Sequence, residues 1–131
     1  METEKEFWLT TLLIIATAVI TVATYSRLVN FGFLLGPYRM NHWVSWIGSI
    51  YIALAVPVFS TLKRRAPQKT KLLLRIHVYG NLMAFFLISI HFASQISRQP
   101  IPDLGTGIAL YIVVLILAVT GFLQISNFGT P

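Results

Sequence analysis

Residues 75–93 read RIHVYGNLMAFFLISIHFA. The stretch is apolar and about as long as a bilayer crossing requires, roughly 20 residues at about 1.5 Å each. It nonetheless carries two of the chain's three histidines, His77 and His91. Ionisable groups at membrane depth are costly, so a functional role is their default reading. Fourteen positions separate them. At about 100° per residue this falls about 40° short of four turns, so both rings leave one face, about 21 Å apart along the axis. Gly80, Asn81, Ala84 and Ile88 lie between them on that face. Small residues beside two imidazoles predict room for a flat, wide group.

The whole chain agrees with a membrane setting. It has 131 residues, 56% hydrophobic and 11% charged, which describes one compact membrane domain. The formal charge of +6 does not indicate nucleic acid as a partner, because of where it lies. Lys63, Arg64, Arg65, Lys69, Lys71 and Arg75 sit in one connector between apolar stretches. That is the positive-inside signature and assigns the connector to the cytoplasm. With no cysteine there is no disulfide, thiolate metal site or iron–sulfur ligand. Glu2, Glu4 and Glu6 precede the first apolar stretch instead of a basic leader, so a cleaved signal peptide is not expected.

Four spans are expected, at about 7–25, 42–62, 72–93 and 107–125. They predict an all-α, integral membrane four-helix bundle in the plasma membrane, with both termini cytoplasmic. Span one holds Thr10, Thr11, Thr17, Thr21 and Thr24 but no titratable group, which suits a packing helix. The connector Ser26–Asn41 is too apolar to float in water and is read as a re-entrant or interfacial segment broken at Gly36–Pro37. Arg27 and Arg39 bracket it, either snorkelling to headgroups or holding the acidic groups of a cofactor. Span two opens with NHWVSW, and Ser45, Ser49 and Ala53 keep the face below His42 small. Span four has a small-residue patch, AVTGF, at Ala118–Phe122.

Spans two and three form a hairpin turning near Pro67, so residues equidistant from it lie at equal depth. His91 lies 24 positions past Pro67, and 24 positions before it is Trp43, beside His42. His42 and His91 are therefore expected level on facing helices. Level imidazoles on adjacent helices are what a six-coordinate haem iron needs. His77 falls opposite Val56 and Pro57, neither a ligand, so a second haem there would be five-coordinate or borrow a ligand from another subunit. The alternative for His77 is a hydrogen-bonding packing residue. Arg75, close by, is a candidate partner for a haem propionate, although membership of the basic cluster explains it equally. Copper held by His42, His91 and Met40 is a further alternative, as is a cofactor-free accessory subunit whose histidines serve packing.

These residues resemble the transmembrane domain of b-type cytochromes of the cytochrome b561 and ferric-reductase-like group. Arg75, His77, Gly80 and His91 look like the haem-helix motif of that group, and His42 looks like the axial histidine of a partner helix. AVTGF is similar to a helix ending in such cytochromes. The resemblance covers mainly residues 42–122. It implies haem b, with His42 and His91 as the iron's ligands, and electron transfer as a subunit of a larger membrane redox complex. The partner helix carries one histidine where the group has two, which leaves a single haem as the expectation. Nothing in the chain looks like a flavin or nicotinamide domain, so a complete reductase activity is not expected within it.

Overall fold

The computed structural model describes residues 2–98 and 105–127. Four α-helices make up nearly all of it: α1 (Glu2–Tyr25), α2 (Met40–Arg65), α3 (Thr70–Ile96) and α4 (Gly105–Asn127). The stretches Glu4–Tyr25, Met40–Arg65 and Pro67–Ile96 are each long and apolar enough to cross a membrane. α4 has 23 residues, about 35 Å, and its apolar part, Gly107–Leu123, is shorter than those three. The expected four-helix membrane bundle is therefore the observed one. The polar loop expected at Ser94–Thr106 lies partly outside the described residues, Asp103 included, as does the end of the C-terminal tail.

α3 is the centre of the bundle. It packs against α1, α2 and α4, and α1 also meets α4, whereas α2 has no comparable contact with α1 or α4. Most of the fully buried apolar residues lie on α3, among them Val78, Leu82, Ala84 and Ile90. α1 turns Thr10, Thr17 and Thr24 inward at seven-residue spacing. A seven-residue repeat keeps side chains on one helix face. Thr10 and Thr17 donate to the carbonyls of Glu6 and Leu13, at 2.7 and 2.8 Å, so two of these hydroxyls are satisfied within the helix. On α4, Ala118 is buried in the cluster with Val78 and Leu82, and a Cβ on Gly121 would stand 3.4 Å from Val78. Tyr111 stacks on Phe92 with centroids 4.3 Å apart, and its hydroxyl meets that of Ser89 at 3.0 Å. The threonine and small-residue faces of spans one and four thus pack against α3 of the same chain. The large exposed side chains of the two helices are mostly Leu, Ile and Val, with Phe7, Trp8 and Tyr25 toward the ends of α1.

The connector before α2 differs from the re-entrant segment expected. β1 (Leu34–Leu35) pairs antiparallel with β2 (Tyr38–Arg39) across the two-residue turn Gly36–Pro37. Gly36 has φ +65°, which a two-residue hairpin turn demands and glycine adopts freely. The indole N–H of Trp43 donates to the Leu35 carbonyl at 2.9 Å, and Tyr38, Trp43 and Trp46 pack ring against ring. A hairpin pairs its own backbone groups, and the aromatic cluster fastens it to the start of α2. That explains why so apolar a segment needs no re-entrant helix.

α2 and α3 are joined by Ala66 and one 3-10 turn, Pro67–Lys69. Asn41 meets Ser94, Gly48 meets Ala84, and Phe59 meets His77. These pairs mirror one another across Pro67, as the sequence predicted. At the basic-turn end, Arg75 forms an ion pair with Glu6 at 2.5 Å, and Phe7 lies 6.1 Å from Phe122. The start of α1 and the later part of α4 therefore share that end of the bundle with the basic turn.

Candidate functional site

At the opposite end, the helix registers bring His42 and His91 together. Their ring centroids are 5.3 Å apart and their planes are inclined by 56°. Both rings are half-buried. Nδ1 of His91 lies 2.9 Å from the backbone carbonyl of Asn41. A carbonyl can only accept, so Nδ1 carries the proton and donates it, leaving Nε2 with an unshared pair. An N–H held by a backbone carbonyl is the usual way a ligating imidazole is oriented. Asn41 itself is fully buried, and its amide donates to the Ser94 hydroxyl at 3.1 Å. Asn41 thus couples the first turn of α2 to α3 through both its backbone and its side chain. Its position beside His42, level with Ser94 across Pro67, was the available sequence signal.

Beside this pair runs a cleft of about 420 Å³ between α2 and α4, with α3 as its floor. Ser45, Ser49 and Ala53 form its α2 wall, His91 and Phe92 its floor, and Leu110, Tyr111 and Val114 its α4 wall. The small α2 face foreseen below His42 is therefore this cleft's low wall. The room expected between Gly80 and Ala84 is not there. An ideal Cβ on Gly80 would fall 1.6 Å from the Tyr51 hydroxyl, and one on Gly48 would fall 2.9 Å from the Ala84 carbonyl oxygen. Those small residues let α2 and α3 close on each other. The open space lies to the side, where α2 and α4 do not meet.

His77 is separate from this site. It stacks on Phe59 with centroids 4.5 Å apart and planes 18° apart, in place of the expected neighbours Val56 and Pro57. The Asn81 amide lies 3.1 Å from its Nε2. With the amide donating, Nε2 is the acceptor and its lone pair is already engaged. Arg75, whose guanidinium meets Glu6, is two residues from His77 on α3 and remote from His42 and His91. Among the described residues no three of His, Cys, Asp and Glu gather as a metal-binding group. A multi-carboxylate or three-histidine metal centre is therefore not formed by them, whereas a two-histidine arrangement is.

No family model, curated protein or solved structure matches the chain.

Proposed function

We propose that the chain is a membrane-embedded haem b protein that relays single electrons as a subunit of a larger redox complex. The haem would be held between His42 and His91, at the head of the cleft between α2 and α4. The observation that carries this reading is the level histidine pair, with His91 already oriented by the Asn41 carbonyl. The two rings lie 5.3 Å apart, and His91 through its free Nε2, together with His42, would hold the iron. The cleft's 420 Å³ lies within the usual range for ligand pockets, about 300–1,000 Å³, and its walls are mostly apolar. When bound, haem supplies one-electron chemistry. The protein's part is to hold the His91 ring in one tautomer, present its Nε2, and keep water off the apolar walls. One haem, not two, fits the chain, because the Nε2 lone pair of His77 is engaged by Asn81. By the positive-inside rule, the basic turn and both termini face the cytoplasm across a plasma membrane.

A second reading, a haem-free accessory subunit of a multi-subunit membrane enzyme, draws on the same hydrogen bond. The His91–Asn41 contact ties α3 to the start of α2 and needs no cofactor for that. The two readings separate in the variant H91N, whose amide N–H can replace the Nδ1–H donor but which has no second ring nitrogen. Reduced-minus-oxidised visible spectra of the purified protein, expressed with ample haem, should show a low-spin b-type band in the wild type. H91N should lose that band while keeping a near-native melting temperature, H42A should also lose it, and H77N should keep it. A wild-type protein with no band, together with a lowered melting temperature in H91A, would give the accessory reading instead.

A further inference from the structure

Of the ten basic residues, Lys5, Lys63, Arg64, Arg65, Lys69, Lys71 and Arg75 belong to the end with the basic turn. The other three, Arg27, Arg39 and Arg98, all line one pocket at the opposite end, where the α1–α2 connector meets the end of α3. The pocket has a volume of about 270 Å³ and is completed by Thr24, Ser94 and Ser97. Like charges drawn together repel, by about 2 kcal/mol per pair at 8 Å and an effective dielectric constant of 20. No carboxylate opposes them among the described residues, since Glu2, Glu4 and Glu6 belong to the first turns of α1 at the far end and Asp103 lies outside the described residues.

Two details distinguish this pocket from arginines that merely reach for the bilayer surface. Arg27 turns back across the connector and donates to the Ser97 carbonyl, which fixes its guanidinium at the pocket wall. Thr24 is only 3% exposed, and its hydroxyl oxygen is buried with no hydrogen-bond partner. The neighbouring helical threonines Thr17 and Thr21 bond their own backbone. Thr24 thus brings an unused hydroxyl to the lining of the pocket that the three arginines share. Arginine forks match the geometry of phosphate and carboxylate oxygens, and charge-assisted bonds of this kind are the strong ones.

We propose that this pocket is an oxyanion site, taking a phosphate or carboxylate group between Arg27, Arg39 and Arg98, with Thr24 donating a further hydrogen bond. The group comes either from the headgroup of an anionic phospholipid or from a small soluble acid, and two measurements separate these sources. The detergent-purified protein is first titrated with inorganic phosphate, against chloride at equal ionic strength, while its melting temperature is followed. The same preparation is then mixed with phosphatidylglycerol or phosphatidylcholine, and lipid retention is read by native mass spectrometry. A phosphate-specific rise in melting temperature identifies a soluble anion. Selective retention of phosphatidylglycerol without that rise identifies the lipid. R39Q and R98Q should each weaken the observed binding about tenfold, the loss of one charge-assisted bond. R64Q, at the basic turn, should leave it unchanged. Absence of binding in both arms, or binding undiminished in R39Q and R98Q, overturns the proposal.

Discussion

At Gly80 a methyl group has no space, because the Tyr51 ring and hydroxyl already occupy the position its Cβ would take. G80A should therefore destabilise the protein by about 1–3 kcal/mol, the usual cost of overpacking, and lower its melting temperature by several degrees. Y51A removes the clashing ring, so the double variant G80A/Y51A should be less unstable than the two single losses predict. Additive losses in thermal unfolding would contradict the contact. Gly80 was visible in the sequence as a small residue on the histidine face, but whether such a gap admits a cofactor or a neighbouring helix depends on what stands opposite. Tyr51 decides that, and no pattern within α3 identifies it. His77 illustrates the same limit: its place on the face was readable, while its engagement by Phe59 and Asn81 was not.

Among the elements, the α2–α3 hairpin was the most legible. A proline between two basic clusters set the pivot, and equal distances from it predicted the pairing of His42 with His91. The chain has no cysteine, so an introduced pair reports its own geometry. N41C/S94C replaces a side-chain contact of 3.1 Å and should form a disulfide under mild oxidation, seen as a shift in gel mobility reversed by reductant. N41C/F59C, two residues well apart along α2, should give no intramolecular bond. Failure of the first pair, or crosslinking of the second, would refute the register. The connector was less legible: Gly36–Pro37 was recognised as a break, but the pairing of Leu34 with Arg39 takes only two residues per strand, too few for an alternating pattern to register.

For the whole molecule, the number of helices followed from hydropathy, but their arrangement did not. All four are apolar around most of their circumference, as lipid-exposed helices are, so apart from the threonines of α1 no stripe marks the side that packs. The central place of α3 emerges only from contacts. Sidedness is testable in intact cells with a membrane-impermeant thiol reagent. L28C, at a position 82% exposed in the connector, should be labelled, and Q68C in the basic turn should be protected until the cells are opened. Labelling of Q68C alone would invert the orientation drawn from the basic cluster.

The position of α3 also has a consequence for biosynthesis. The chain emerges from the ribosome in the order α1, α2, α3, α4, yet α1 and α2 make no substantial contact with each other, and each depends on α3 for its packing. Until residues 70–96 enter the bilayer, the first half of the protein is two unassociated helices surrounded by lipid, with the threonine stripe of α1 and the serines of α2 facing hydrocarbon or any passing quality-control protease. Nascent chains halted before Thr70 should therefore be degraded faster than chains halted after Ile96, a difference that pulse–chase labelling of arrested translation products would measure. The helix that carries His91 is thus also the one whose arrival ends the chain's exposure to degradation.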